Sequence, residues 1–278
     1  MATFPSDPLL APERVRAHPL ASARPRVGLR GTLTTLALLL VVGWAWNGTH
    51  VSLGELITSA PNMWDLITRM VPPDWAFFTN YDHVIAPTIV TIQLAITGTV
   101  IAVLLAFPLS LLAARNLSHP LVYQSVRVVL NSIRSIPELV WGLIFVSAVG
   151  LGPFAGTLAL VMGSVGSLAK VFAESIEAIN PRPVEAMDAV GATRIQRIAF
   201  GVIPQALVAM TSYALLYWEH NIRASFIVGA VGGGGLGFEI TTELNLFQYR
   251  QFTVHVIIII LLVTLADRLS AVVRRWLA

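Results

Sequence analysis

Cysteine is absent from the 278 residues, lysine occurs once, at Lys170, and charged residues of either sign make up only 12% of the chain. Each shortage excludes something. Without thiols there is no disulfide framework and no thiolate metal chemistry. With one lysine and no Gly-Lys-Ser/Thr triplet the chain has no Walker A loop, so the glycine run at 229–237 is not a nucleotide site. The six histidines include no His-x-x-x-His pair, and neither Ser225 nor Ser270 stands in a Gly-x-Ser-x-Gly elbow, which leaves no motif for metal-dependent or acyl-transfer catalysis. A composition that is 55% hydrophobic is too apolar for a soluble globule and belongs in a bilayer. The net charge of +3 is not a nucleic-acid footprint, because the arginines gather at the ends of apolar spans as membrane anchors do.

What is present is a series of apolar runs. Residues 1–30 hold five arginines against Asp7 and Glu13, several prolines and no apolar periodicity, which predicts a disordered cytoplasmic tail. The uncharged run 31–46 ends in Trp44 and Trp46, residues suited to an interface, and lacks the small residues of a signal cleavage site. Residues 47–83 mix Glu55, Asp65, Asp74 and Asp82 with Trp64, Trp75 and Phe77, and are predicted to lie outside, partly on the membrane surface. A span over 84–114 follows, with Pro87 and Pro108 near its ends. Arg115, Arg127 and Arg134 then mark a cytoplasmic turn. The next span, 121–149, meets Pro137, so a bend is predicted at Ser135–Glu138. Gly150–Pro153 turns the chain, and spans over 155–179, 204–229 and 252–272 complete a count of six with both ends inside. The arginines agree with that orientation: fourteen fall in the cytoplasmic segments, and Arg69 and Arg250 in the outer ones. Six glycines in the nine residues 229–237 predict close packing or free bending and argue against helical continuation.

The polar stretch 180–205 separates two of these spans. Asn180 is a helix cap followed by Pro181 at the first helical position, Glu185 and Asp188 sit near the positive end, and Gly191 breaks the helix. Ile195, Ile198, Ala199 and Val202 then return at helical spacing, with Arg194 and Arg197 on the other side. Two short helices hinged at a glycine form a knob suited to a partner's groove. Glu185-Ala186, Gly191 six residues after Glu185, and Pro204 thirteen after Gly191 resemble the cytoplasmic Glu-Ala-Ala loop of binding-protein-dependent ABC importer permeases. Met187 stands in place of the second alanine of that motif, and Gly201 where an isoleucine is usual.

A second resemblance is narrower. Trp218-Glu219-His220-Asn221-Ile222-Arg223-Ala224-Ser225, followed by the glycine run to Glu239, is similar to the Glu-x-Asn-x-Arg and glycine-rich signature of phosphonate importer permeases, as is Arg134-Ser-Ile-Pro-Glu138. The resemblance covers residues 84–275. It implies an all-α integral membrane protein of six transmembrane helices: an N-terminal helix within 31–83 and a five-helix permease domain over 84–278, with its coupling loop at 180–204. It further implies import of phosphonate, phosphite or phosphate across a bacterial inner membrane, with both termini cytoplasmic. The implied partners are a second copy of the chain, a cytoplasmic ATPase dimer that holds the ATP and Mg²⁺, and an external binding protein. The chain itself is then no enzyme and binds no cofactor. In this reading Glu185, Ala186, Asp188, Gly191, Arg194 and Pro204 couple to the ATPase; Glu138, Glu219, Asn221 and Arg223 line the translocation pathway; and Gly232, Gly233, Gly234, Gly235 and Gly237 form a gate. Permeases for methionine or another small nutrient, and an ion-coupled carrier using Glu219, are the alternatives. Glu219 and Arg223, four apart on one helix, either neutralise each other or serve the pathway, and Lys170 with Glu174 forms a like pair near the cytoplasmic edge.

Overall fold

An apolar run in lipid has no water to bond its amides, so its backbone must satisfy itself within a helix. The computed structural model describes residues 29–49 and 52–277, which form eleven α-helices linked by short 3-10 and π turns, with no strand among the described residues. The tail predicted for 1–30 lies outside them up to residue 28. The chain divides into two compact units, residues 1–61 and 62–278. In the first, α1 (Leu29–Gly48) is the predicted N-terminal span. The boundary falls within α2 (Leu53–Met70), where Leu56, Ile57, Trp64 and Ile67 alternate with Glu55, Asn62, Asp65 and Arg69, the composition of a helix lying in the membrane interface.

The second unit contains α3 (Ala86–Ala113), α4 (Pro120–Arg134), α5 (Glu138–Val149), α6 (Pro153–Glu177), α7 (Pro181–Ala189), α8 (Arg194–Gln196), α9 (Ile203–Val228), α10 (Leu236–Asn245) and α11 (Tyr249–Leu277). At its centre α6 packs on α3, α4, α5 and α9. Small residues make this possible: Ala95, Ala102 and Ala106 of α3 and Ala155, Ala159, Ala169 and Ala173 of α6 are buried. Lipid tails are as apolar as leucine, so helices in a bilayer are held by close approach rather than by expulsion from water. A Cβ added at Gly166 would stand 2.9 Å from the Leu130 carbonyl oxygen, which measures how near α4 comes.

Five helical stretches are long and apolar enough to cross a membrane, and α4 with α5 makes a sixth as one span broken by 83°. The break falls where Pro137 predicts it, and Pro137 becomes the N-cap of α5. The glycine segment ends the helix as expected, though not at its first residue. Helical backbone runs on as a π turn through Val231, until φ values of +103° at Gly232, +81° at Gly234 and +71° at Gly235 break it and α10 begins. The segment is not free to bend. The Gly152 amide donates to the Gly232 carbonyl at 2.9 Å, the Leu236 amide to Thr91 Oγ1 at 2.9 Å, and a Cβ at Gly156 would meet the Gly233 carbonyl oxygen at 2.5 Å.

The 28 residues of α3 set the separation of the two ends, about 42 Å at 1.5 Å per residue. Thr91, near its start, touches the glycine segment, while Arg115 and Asn116, just past its end, bond Glu177 and Ile176 beside the central loop.

Candidate functional site: a hinged knob and a charged helix face

The knob assembles from its caps inward. Asn180 Oδ1 accepts from the Arg182 amide at 3.1 Å and opens α7, with Pro181 at its first position. Gly191 ends it with φ +75°, a conformation that glycine adopts without strain. Thr193 and Gln196 form a reciprocal capping box at α8, and a π turn over Arg197–Val202 delivers Pro204 to the first turn of α9. Across the hinge Asp188 holds Arg197 at 2.9 Å. The knob's exit is tied to its entry, because Gln205 Oε1 accepts from the Asn180 amide at 3.1 Å. Arg194 Nη2 donates to the Leu117 carbonyl at 2.7 Å and joins the knob to the turn between α3 and α4.

The two departures from the Glu-Ala-Ala pattern meet each other. A Cβ at Gly201 would lie 3.7 Å from Met187 Cγ and 3.5 Å from Val184, so the long methionine occupies space beside a residue without a side chain. Glu185 and Ala186 are exposed. The predicted apolar face divides: Val202 is buried at 1% exposure, whereas Ile195 turns outward at 79% and joins Val190 and Phe200 as exposed apolar side chains. Three exposed apolar side chains on one short polar protrusion make it a candidate contact surface.

The membrane charges pair differently from the sequence expectation. Glu219 and Arg223 do not bond each other. Glu219, 6% exposed, accepts from Arg274 Nη2 at 2.8 Å, and Arg223 Nη1 meets Asp267 Oδ1 at 3.2 Å, so both pairs run from α9 to α11. Residues four apart share a helix face only roughly, and here the face turns between two directions on a neighbouring helix. No ion pair joins Lys170 to Glu174 among the described residues. Asn221 is withdrawn from the pathway set. It is fully buried, its Nδ2 donating to Thr99 Oγ1 at 2.9 Å and its Oδ1 accepting from Ser164 at 2.8 Å, and it clips α3, α6 and α9 together.

Glu138 opens α5 over Gly163, where a Cβ would crowd its Cγ at 2.6 Å, and its Oε1 lies 3.1 Å from His220 Nε2. Leu216, His220, Arg223 and Ile227 thus form one exposed stripe along α9, flanked by Glu138 from α5 and Asp267 from α11. A guanidinium and an imidazole one turn apart on an open face offer hydrogen-bond donors to an oxyanion. The sequence reading missed His220, Asp267 and Arg274. Asp267 carried a signal, as the one carboxylate in the apolar run of α11.

Residues 106–278 match the model of the family described as binding-protein-dependent transport system inner membrane component. The chain is 42% identical, over 79% of its own length and 79% of the relative's, to a phosphite transport system permease protein of Stutzerimonas stutzeri. It is 34% identical to a phosphate-import permease protein of Mycolicibacterium smegmatis, over 93% of this chain and 48% of that longer one. Among solved structures, a chain of a methionine ABC transporter in inward-facing conformations superposes with a TM-score of 0.61 at 22% identity, over 70% of this chain and 95% of that one. That likeness concerns the fold alone.

Proposed function

The chain belongs to the binding-protein-dependent transport system inner membrane components, the permease subunits of ABC importers, and from that premise we propose that it admits a phosphorus oxyanion: phosphite, phosphate or phosphonate. The observation that carries the substrate is the 42% identity to the phosphite permease. The chemistry of the α9 stripe supports it, because the fork of Arg223 matches phosphoryl oxygens two at a time and His220 adds a donor one turn away. Arg223 is 48% exposed by side chain and held by one carboxylate, so an entering anion competes with Asp267 for it. Such a site is weak, and a conduit requires that, since tight binding would trap the solute.

Two copies of the chain enclose the pathway with their α9 stripes facing it. The knob docks a cytoplasmic ATPase that binds ATP and Mg²⁺, with Val190, Ile195 and Phe200 as its contacts and Gly191 as its hinge. A binding protein delivers the anion at the opposite, external end. An ion-coupled mechanism finds no support in Glu219, because a carboxylate that exchanges protons with the path needs access to it and this one is buried against Arg274.

Reconstituted vesicles test the proposal. Uptake of labelled phosphite, phosphate or a phosphonate is expected to require the ATPase, ATP and the binding protein, and to persist when a protonophore collapses the proton gradient. Uptake that dies with the gradient, or that favours methionine over every phosphorus oxyanion, refutes it.

A further inference from the structure

At the end opposite the knob, α10 and α11 meet in a corner that neither the coupling loop nor the α9 stripe uses. A cavity of about 420 Å³ opens there, lined by Asn80, His83, Glu239, Thr242, Glu243 and Gln251 among others. Its floor holds two acids, each beside a histidine. Glu243 is only 3% exposed; its Oε2 lies 2.8 Å from His255 Nδ1, while its Oε1, also buried, bonds nothing. His255 Nε2 is committed elsewhere, donating to the His83 carbonyl at 2.8 Å. Glu239, one turn before Glu243, is 18% exposed by side chain and lies 3.2 Å from His83 Nδ1. Glu239 is therefore the carboxylate that an entering cationic hydrogen-bond donor can reach from the cavity, while Glu243 is sealed beneath it.

Between two of the lining residues, Leu246 and Gln248, stands a second, independent feature. α10 ends in a Schellman motif: the Gln248 amide donates to the Glu243 carbonyl at 2.9 Å and the Phe247 amide to the Leu244 carbonyl at 3.2 Å. The position in this motif that glycine ordinarily fills is Phe247, with φ +58°. Left-handed backbone is unfavourable for an aromatic residue. The phenylalanine there is 74% exposed, beside Leu246 at 59%. An exposed aromatic beside a cavity that holds a reachable carboxylate is the composition of an interface centre.

We infer that this corner is where the external binding protein seats, with a lysine or arginine side chain of that protein entering the cavity to meet Glu239 while Phe247 packs beside it. The inference rests on the reading of the chain as a binding-protein-dependent permease. Charge complementarity selects a basic partner: with Arg69 and Asp65 cancelling each other at 2.8 Å and Glu243 buried against His255, residues 62–83 and 236–250 leave Asp74, Asp82 and Glu239 against Arg250.

The test uses the permease–ATPase complex in lipid vesicles, with ATP hydrolysis titrated against purified binding protein. Glu239→Gln and Phe247→Gly are each expected to raise the half-saturating concentration about tenfold while the maximal rate is retained, and added NaCl is expected to shift the wild type more than Glu239→Gln. Glycine is the preferred residue at that helix end, so Phe247→Gly keeps the fold. Unchanged half-saturation in both variants overturns the inference. So does a change equally present without binding protein, which assigns Phe247 to the lipid interface, or a dependence on Na⁺ against K⁺ that Glu239→Gln abolishes, which assigns the cavity to a small cation. Wild-type hydrolysis indifferent to the binding protein overturns the function proposed above, and this inference with it.

Discussion

At the scale of the residue, the two α9–α11 ion pairs differ in what they can do, because one is buried and the other open. Glu219 is sealed against Arg274, so removing the cation strands a charge in a low-dielectric site. Arg274→Met is expected to destabilise the detergent-solubilised protein by about 3 kcal/mol, and Glu219→Met with Arg274→Met to recover most of it, as thermal unfolding of the variants will measure. Arg223 and Asp267 stand half exposed, and their exchange separates a pathway role from a structural one. Arg223→Asp with Asp267→Arg keeps an ion pair but moves the cation to α11. Oxyanion uptake is expected to fall at least about tenfold at normal expression, in keeping with the loss of a charge-assisted contact. Full uptake by the double variant would leave the pair as a helix clip and nothing more. Asn221→Ala removes two bonds that join three helices and is expected to cost about 1 kcal/mol, the scale of interhelical hydrogen bonds in membranes.

Among the elements, the knob and the glycine segment both depend on glycine, for different reasons. Gly191 has open space around a Cβ but a positive φ, so Gly191→Val strains the backbone without a clash. The expected result is a complex that assembles less tightly or hydrolyses ATP without moving solute, with the membrane fold intact. Phe200→Ser tests the same element through its surface, and its expected loss is ATPase association in a pull-down rather than stability, since Phe200 is 71% exposed. At Gly237 the conformation is ordinary but the space is absent, for a Cβ would overlap the Phe226 carbonyl oxygen. Gly237→Ala is therefore expected to separate α9 from α10 and lower the unfolding temperature, an overpacking cost of about 1–3 kcal/mol. If it unfolds like the wild type, the segment is looser than its contacts imply.

For the whole molecule, the arginines predict that the knob faces the cytoplasm, and the lack of native cysteine makes this directly testable. Thr193→Cys on the knob and Asn80→Cys beside the opposite cavity are expected to react in contrasting ways in intact cells: an impermeant maleimide labels Asn80→Cys and spares Thr193→Cys until the membrane is opened. The reverse pattern would invert the orientation that the arginines predict.

The elements were legible in the amino-acid order alone. Apolar runs longer than the bilayer is thick can only be helices, Pro137 had to break one, and Asn180, Pro181 and Gly191 specify a capped and hinged pair of short helices from local rules alone. Which side chains meet was settled by packing. Glu219 and Arg223 are neighbours in a helical wheel, yet packing against α11 gave each a different partner, because a charge in an apolar medium goes to the opposite charge that a neighbouring helix brings within reach. Asn221 carries the same motif and ended in the core, where three helices happen to cross. The glycine run could be read as loose or as tight, and the approach of α3 and α6 made it tight. Local rules act over one turn of chain, whereas these outcomes were set by residues 44 to 145 positions away, and spacing carries no information about those.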